Sequence, residues 1–145
     1  MKALLAIFGL ILGLLIMENS WGNEPAYQRE CRIAGGIYWA VSVNDTFDTP
    51  LCRFGSSVVG AADFAEFKWN RRPSQAIAAY AVAQPAHNSD AFCASVGAKF
   101  VTAGDSNRDF WRICVFPDNS IIGGETLARG PKSEYNAQLS NALGL

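Results

Sequence analysis

Cys31-Arg32-Ile33-Ala34-Gly35-Gly36-Ile37-Tyr38 is followed 62 residues later by Cys93-Ala94-Ser95-Val96-Gly97-Ala98-Lys99-Phe100, and each stretch leads to a second cysteine, Cys52 or Cys114, 21 residues beyond its first. Equal steps invite a test for internal duplication. Sliding the chain by 62 aligns Cys31 with Cys93, Gly35 with Gly97, Tyr38 with Phe100, Cys52 with Cys114, Phe54 with Phe116, Val59 with Ile121 and Asp63 with Glu125, with no gap. The spacing predicts two tandem modules. In an oxidising compartment an even cysteine count reads as a disulfide framework, and of the three pairings four cysteines admit, the repeat selects Cys31 with Cys52 and Cys93 with Cys114. Each such bridge constrains the unfolded chain by about 3.4 kcal/mol. Modules of about 45 residues bury too little apolar surface to do without it. A reactive thiol is disfavoured: there is no Cys-x-x-Cys pair, and a single histidine is present to activate a thiolate.

Local patterns fill in each module as a helix followed by three strands. Pro25 and the Asn88-Ser89-Asp90 cluster suit helix starts, while Gly35-Gly36 and Gly97 suit left-handed stops. Ile37 to Val43 and Lys99 to Thr102 read as first strands, Leu51 to Phe54 and Trp111 to Phe116 as second strands, and Val58-Val59 and Ile121-Ile122 as third strands. A short helix is expected after each third strand, from Ala61 to Trp69 and from Glu125 to Arg129. Ser74 to Gln84 is alanine-rich and ends at Pro85, which predicts a connecting helix. Tyr135, Leu139 and Ala142 share one helical face and predict a C-terminal helix. The expected class is α+β, divided into module 1 (23–69), a connecting helix and linker (70–87), module 2 (88–131) and a C-terminal helix (132–145).

The first 22 residues are read as a secretory signal. Lys2 gives a positive start, Ala3 to Met17 is free of charge, and Ser20-Trp21-Gly22 places small residues where a signal peptidase reads them. An apolar run of 15 is shorter than the ~20 residues a membrane-spanning helix needs. Cleavage is expected near Gly22/Asn23, and a periplasmic or secreted product follows. With 12 Lys+Arg against 13 Asp+Glu the chain has no basic excess for nucleic acid.

Within the second module, Phe92-Cys93, Gly97, Cys114-Val115-Phe116-Pro117-Asp118-Asn119-Ser120, Glu125 and Arg129-Gly130 resemble the haemolysin-labelled family of small secreted bacterial proteins, a domain of unknown function. The resemblance covers residues 88–130, with a degenerate second copy at about 26–68. It implies a small secreted fold and no mechanism. Module 1 departs from the pattern, having Gly55-Ser56 where the family has its Pro-Asp turn.

Chemistry is sparse in this sequence. Asp63 and Glu66 lie one helical turn apart, but no histidine or second acid motif supports them as an acid–base pair, and a solvated helix face explains them. His87 beside Pro85 reads as a surface histidine. No catalytic residue, metal site or cofactor is expected. Membrane lysis is not expected either, because after the signal the sequence offers no basic amphipathic helix, long apolar hairpin or barrel. The remaining class is a non-enzymatic, disulfide-stabilised binding module of the cell envelope, with an envelope protein or cell-wall component as partner; a structural or stress-related periplasmic factor, or an inhibitor of an envelope hydrolase, is the alternative. Candidate binding residues are the basic cluster Lys68, Trp69, Arg71 and Arg72 and the turn residues Asp118 and Asn119. The loops Asp45 to Pro50, Gly104 to Phe110 and Pro117 to Ser120 are the candidate presenting surfaces, since a braced loop loses little entropy on binding.

Overall fold

Pro25 opens the first helix and Asn88, whose side chain accepts from the Ala91 N–H, opens its counterpart. Gly35 (φ +86°) and Gly97 (φ +82°) end these helices in the left-handed conformation that spares a Cβ clash. The computed structural model describes residues 24–43 and 47–145, so the expected signal segment and residues 44–46 lie outside the described residues. In chain order the elements are α1 (Ala26–Ile33), β1 (Ile37–Val43), β2 (Phe47–Phe54), β3 (Ser57–Gly60), α2 (Ala61–Asn70), α3 (Gln75–Val82), α4 (Ser89–Ser95), β4 (Lys99–Gly104), β5 (Phe110–Val115), β6 (Ile121–Gly123), α5 (Gly124–Arg129), a 3₁₀ turn (Glu134–Asn136) and α6 (Ala137–Leu143).

The expected three strands per half are present, but the expectation of no barrel is overturned: the edge strands of the two halves pair, and all six join into one closed barrel in the order β1-β2-β3-β6-β5-β4. Two antiparallel seams unite the halves. One pairs β1 with β4 at Ser42 with Gly104 and Val43 with Ala103; the other pairs β3 with β6 at Val59 with Ile122. Each seam therefore joins a strand to its own counterpart. Alternation along the strands sends residues to two apolar layers. Val41, Leu51, Val58, Ala103 and Ile113 form one cluster on the inner face of the strands. Their sequence neighbours Cys52, Val59 and Cys114, with Ile122 of β6, belong to the second cluster, packed with Phe64, Tyr80, Leu127 and Leu139 from the helices. Both halves contribute to both layers.

The bridges Cys31–Cys52 and Cys93–Cys114 are formed, as the repeat predicts, and each ties a leading helix to a second strand. Gly36 is required beside the first: a Cβ there would stand 2.6 Å from the Cys52 sulfur. The connecting helix is α3, capped by Ser74, and the C-terminal helix is α6, buried through Leu139 and Leu143.

The gapless alignment needs one correction. The β2–β3 turn has two residues between the paired Phe54 and Ser57, whereas three residues separate Phe116 from Ser120, its bonded equivalent in the β5–β6 connection, so Cys52 faces Val59 but Cys114 faces Ile122. The offset thus grows from 62 to 63 beyond the second cysteine. Val59 corresponds to Ile122, not Ile121, and Asp63 to Thr126, not Glu125. The hydrogen bonds follow the corrected register. Asp63 Oδ2 accepts from the Ile121 N–H at 3.0 Å, and Thr126 Oγ1 accepts from the Val58 N–H at 3.0 Å. Each trailing helix thereby grips the third strand of the other half.

Candidate functional site

The basic cluster at the end of α2 is largely engaged within the fold. Lys68 Nζ donates to the Ala142 carbonyl at 2.9 Å, and Arg71, with φ 54° at the helix end, lies over the Phe67 ring and reaches the Leu143 carbonyl at 3.5 Å. Both cations thus sit at the C-terminus of α6, where positive charge complements unsatisfied carbonyls. Trp69, 49% exposed, and Arg72 remain at the surface.

Asp118 also anchors a helix. Its carboxylate accepts from the Gln75 N–H at 2.9 Å, while Ser120 Oγ accepts from the Ala76 N–H at 2.9 Å, so the β5–β6 turn satisfies the start of α3. Burial pushes the Asp118 carboxyl up, but hydrogen bonds from Gln75 and Ser120 outweigh it and hold the group below the usual carboxylate range. Asn119 takes the left-handed turn position (φ 64°). The structure therefore brings Asp118 and Asn119 to the α3 start and leaves Lys68 to Arg72 at α6.

Asp63 and Glu66 separate by environment. Asp63 is directed into the junction between the halves, where burial, opposed by the Ile121 N–H and Ser74 and reinforced by Asp118 and Glu66, pushes its carboxyl up to about 6. Glu66 is exposed, and His87 is exposed as expected. Among the described residues no group of three or more His, Cys, Asp or Glu is placed to hold a metal ion.

Of the candidate loops, Asp45 to Pro50 is mostly strand, because β2 begins at Phe47. Gly104 to Phe110 is a tight hairpin: Asp105 Oδ1 accepts from the N–H groups of Asn107 and Asp109, and Arg108 is left-handed (φ 66°). The hairpin delivers Phe110, 73% exposed, to the mouth of a cleft of about 330 Å³. That volume lies at the small end of ligand sites.

The cleft follows from the shortness of β6. Its three residues pair with β5 only over Ile113 to Val115, after which Gly123-Gly124 turns the chain into α5. The edge of β5 from Phe110 to Arg112 is left without a strand on that side. Side chains from both faces of β5 line the cleft, Phe110 and Arg112 from one and Trp111 and Ile113 from the other, so the cleft straddles the strand edge. Tyr135 and Thr126 form its far wall. Tyr135 is fixed by its hydroxyl, which donates to the Ser56 carbonyl at 2.9 Å, and by the Arg129 guanidinium 4.6 Å over its ring. Trp111 meets Trp39 edge-on with ring centroids 4.4 Å apart, and its Nε1–H is buried without a hydrogen-bond partner among the described residues. Arg112 lies over the Phe100 ring at 4.3 Å and makes no ion pair among the described residues.

No family model, curated protein or solved structure matches this chain. Sequence reasoning reached Phe110 as the end of a candidate loop and missed Trp111, Arg112, Thr126 and Tyr135. One local signal was available: in a period-2 strand the adjacent pair Phe110-Trp111 must face opposite sides, so one large aromatic had to lie off the inner layer.

Proposed function

We propose that this chain is an exported binding module that presents the β5-edge cleft to a partner in the cell envelope or medium. Two disulfides are consistent with an extracytoplasmic location. Among the described residues no helix is long and apolar enough to cross a membrane. The repeated element order, equal disulfide spans and reciprocal Asp63 and Thr126 bonds support an origin by tandem duplication. The likeness of residues 88–130 to the haemolysin-labelled family supports export and adds no mechanism.

One observation carries the functional reading. A strand edge flanked by aromatic side chains, beside a cleft on a cross-braced barrel, combines an exposed large aromatic, Phe110, with strand backbone that no neighbouring strand covers among the described residues. The test is a nitrogen-15 amide spectrum of the exported, disulfide-intact protein mixed with concentrated envelope extract. Selective broadening at Phe110, Trp111 and Thr126 is expected. Broadening at Trp69 and Arg72 instead would move the site to the basic cluster.

A further inference from the structure

The orientation of the β5 backbone narrows the chemistry of what the cleft can hold. In an antiparallel sheet the N–H and C=O groups of successive residues point alternately to the two neighbouring strands. Two observations set the phase at Arg112. Its carbonyl oxygen lies 3.4 Å from the position a Cβ on Gly124 would take, on the α5 side and away from β4. Its counterpart in the first half, by the 62-residue offset that holds up to the second cysteine, is Pro50, which sits in register with Ala40 of β1 as Arg112 does with Thr102 of β4. A proline has no N–H to give that ladder, so this position's N–H points outward in both halves. Phe110, two residues earlier, shares the phase. The main chain of Phe110 and the Arg112 N–H therefore face the cleft, while Trp111 turns its main chain to β4.

We propose that the cleft takes an extended peptide that pairs with β5 along Phe110 to Arg112 as an added strand; this rests on the cleft being the binding site. Main-chain donors and acceptors at strand spacing are the complement of another peptide backbone. Side chains of the added strand alternate between the two flanks. One apolar side chain enters beside Trp111, Ile113 and Val58, and its neighbour meets Phe110 and Arg112, where an unpaired guanidinium selects a carboxylate. The recognised sequence is thus an apolar residue adjacent to an acidic one. Pro50 removes the corresponding donor from the first half, so a single site is built per chain.

The experiment titrates the nitrogen-15-labelled, disulfide-intact protein with the capped pentapeptide Ac-Val-Glu-Val-Glu-Val-amide, the same peptide N-methylated at all five residues, its lysine-for-glutamate analogue, and cellotriose. Shifts confined to the amides of residues 110–112, the Trp111 indole and Thr126 are expected for the glutamate peptide. Affinity should fall at least about tenfold on N-methylation, and Arg112→Gln, which removes the charge and keeps a polar side chain, should abolish the preference for glutamate over lysine. Arg112→Pro should reproduce the N-methyl result if it folds; the N-methylated peptide tests the same bond on the unaltered protein. Equal binding of the N-methylated peptide overturns strand addition and leaves the site in place. Cellotriose moving these resonances when no peptide does overturns the ligand class and again leaves the site. Silence of the cleft to all four probes overturns strand addition, and if envelope extract also leaves the cleft unbroadened, the site falls with it.

Discussion

The two halves of the barrel share a frame and differ at the places where one meets solvent and where each grips the other. At the open strand edge the first half carries Pro50 and the second Arg112, preceded by Phe110 and Trp111. Where each trailing helix crosses to the other half, the first uses a carboxylate, Asp63, and the second a hydroxyl, Thr126. Matching backbones with unmatched side chains separate what the barrel needs from what it is free to vary. The bridges and the crossing hydrogen bonds recur in both halves and are architectural; the aromatic edge occurs once.

The largest expected effect tests the sameness of the halves. Replacing both cysteines of either bridge with alanine should lower stability by about 3 kcal/mol, and by a similar amount for each bridge because both span 21 residues. Urea denaturation of the two double variants measures this, and a large inequality would break the equivalence. Next comes the difference at the crossing bonds. Asp63 has a folded-state value raised from 3.8 to about 6, so the folded chain holds that proton more tightly than the unfolded one. Its contribution is present below about pH 4 and is lost as pH rises through about 6, a change of about 3 kcal/mol by pH 7. Asp63→Asn should therefore flatten the pH dependence of stability between pH 4 and 7 and leave the variant more stable than the parent at neutral pH. Thr126→Val should cost about 1–3 kcal/mol, because the Val58 N–H loses its acceptor, and the cost should be the same at both pH values. Equal pH slopes for the Asp63 and Thr126 variants would contradict the distinction. The smallest effect on stability belongs to Phe110→Ala, less than about 0.5 kcal/mol for so exposed a side chain, together with loss of the extract-induced broadening at Trp111 and Thr126.

Much of this frame was legible in the sequence because its signals are local. The cysteine steps, the left-handed glycines after the leading helices, Asn88 as a cap and the alanine-rich connector each act within a few residues of themselves. Closure of six strands into one barrel was not legible, since the seams at Ser42 with Gly104 and Val59 with Ile122 join residues far apart in the chain and carry no signature of their own. The extra residue in the β5–β6 connection escaped because apolar Val59 and Ile121 align as readily as Val59 and Ile122. The basic cluster looked available because nothing near Lys68 announces that the carbonyls of α6 will arrive there. The cleft was hidden for a related reason: it arises where β6 stops after three residues, and Tyr135 reaches it from the far end of the chain.

The most direct test of the account compares the two edges in one exported protein, using photocrosslinking from benzoylphenylalanine placed at position 110 or at its counterpart, position 48. Ultraviolet-dependent adducts are expected from position 110 and none from position 48. Adducts of equal yield from both positions, or from position 48 alone, would contradict it.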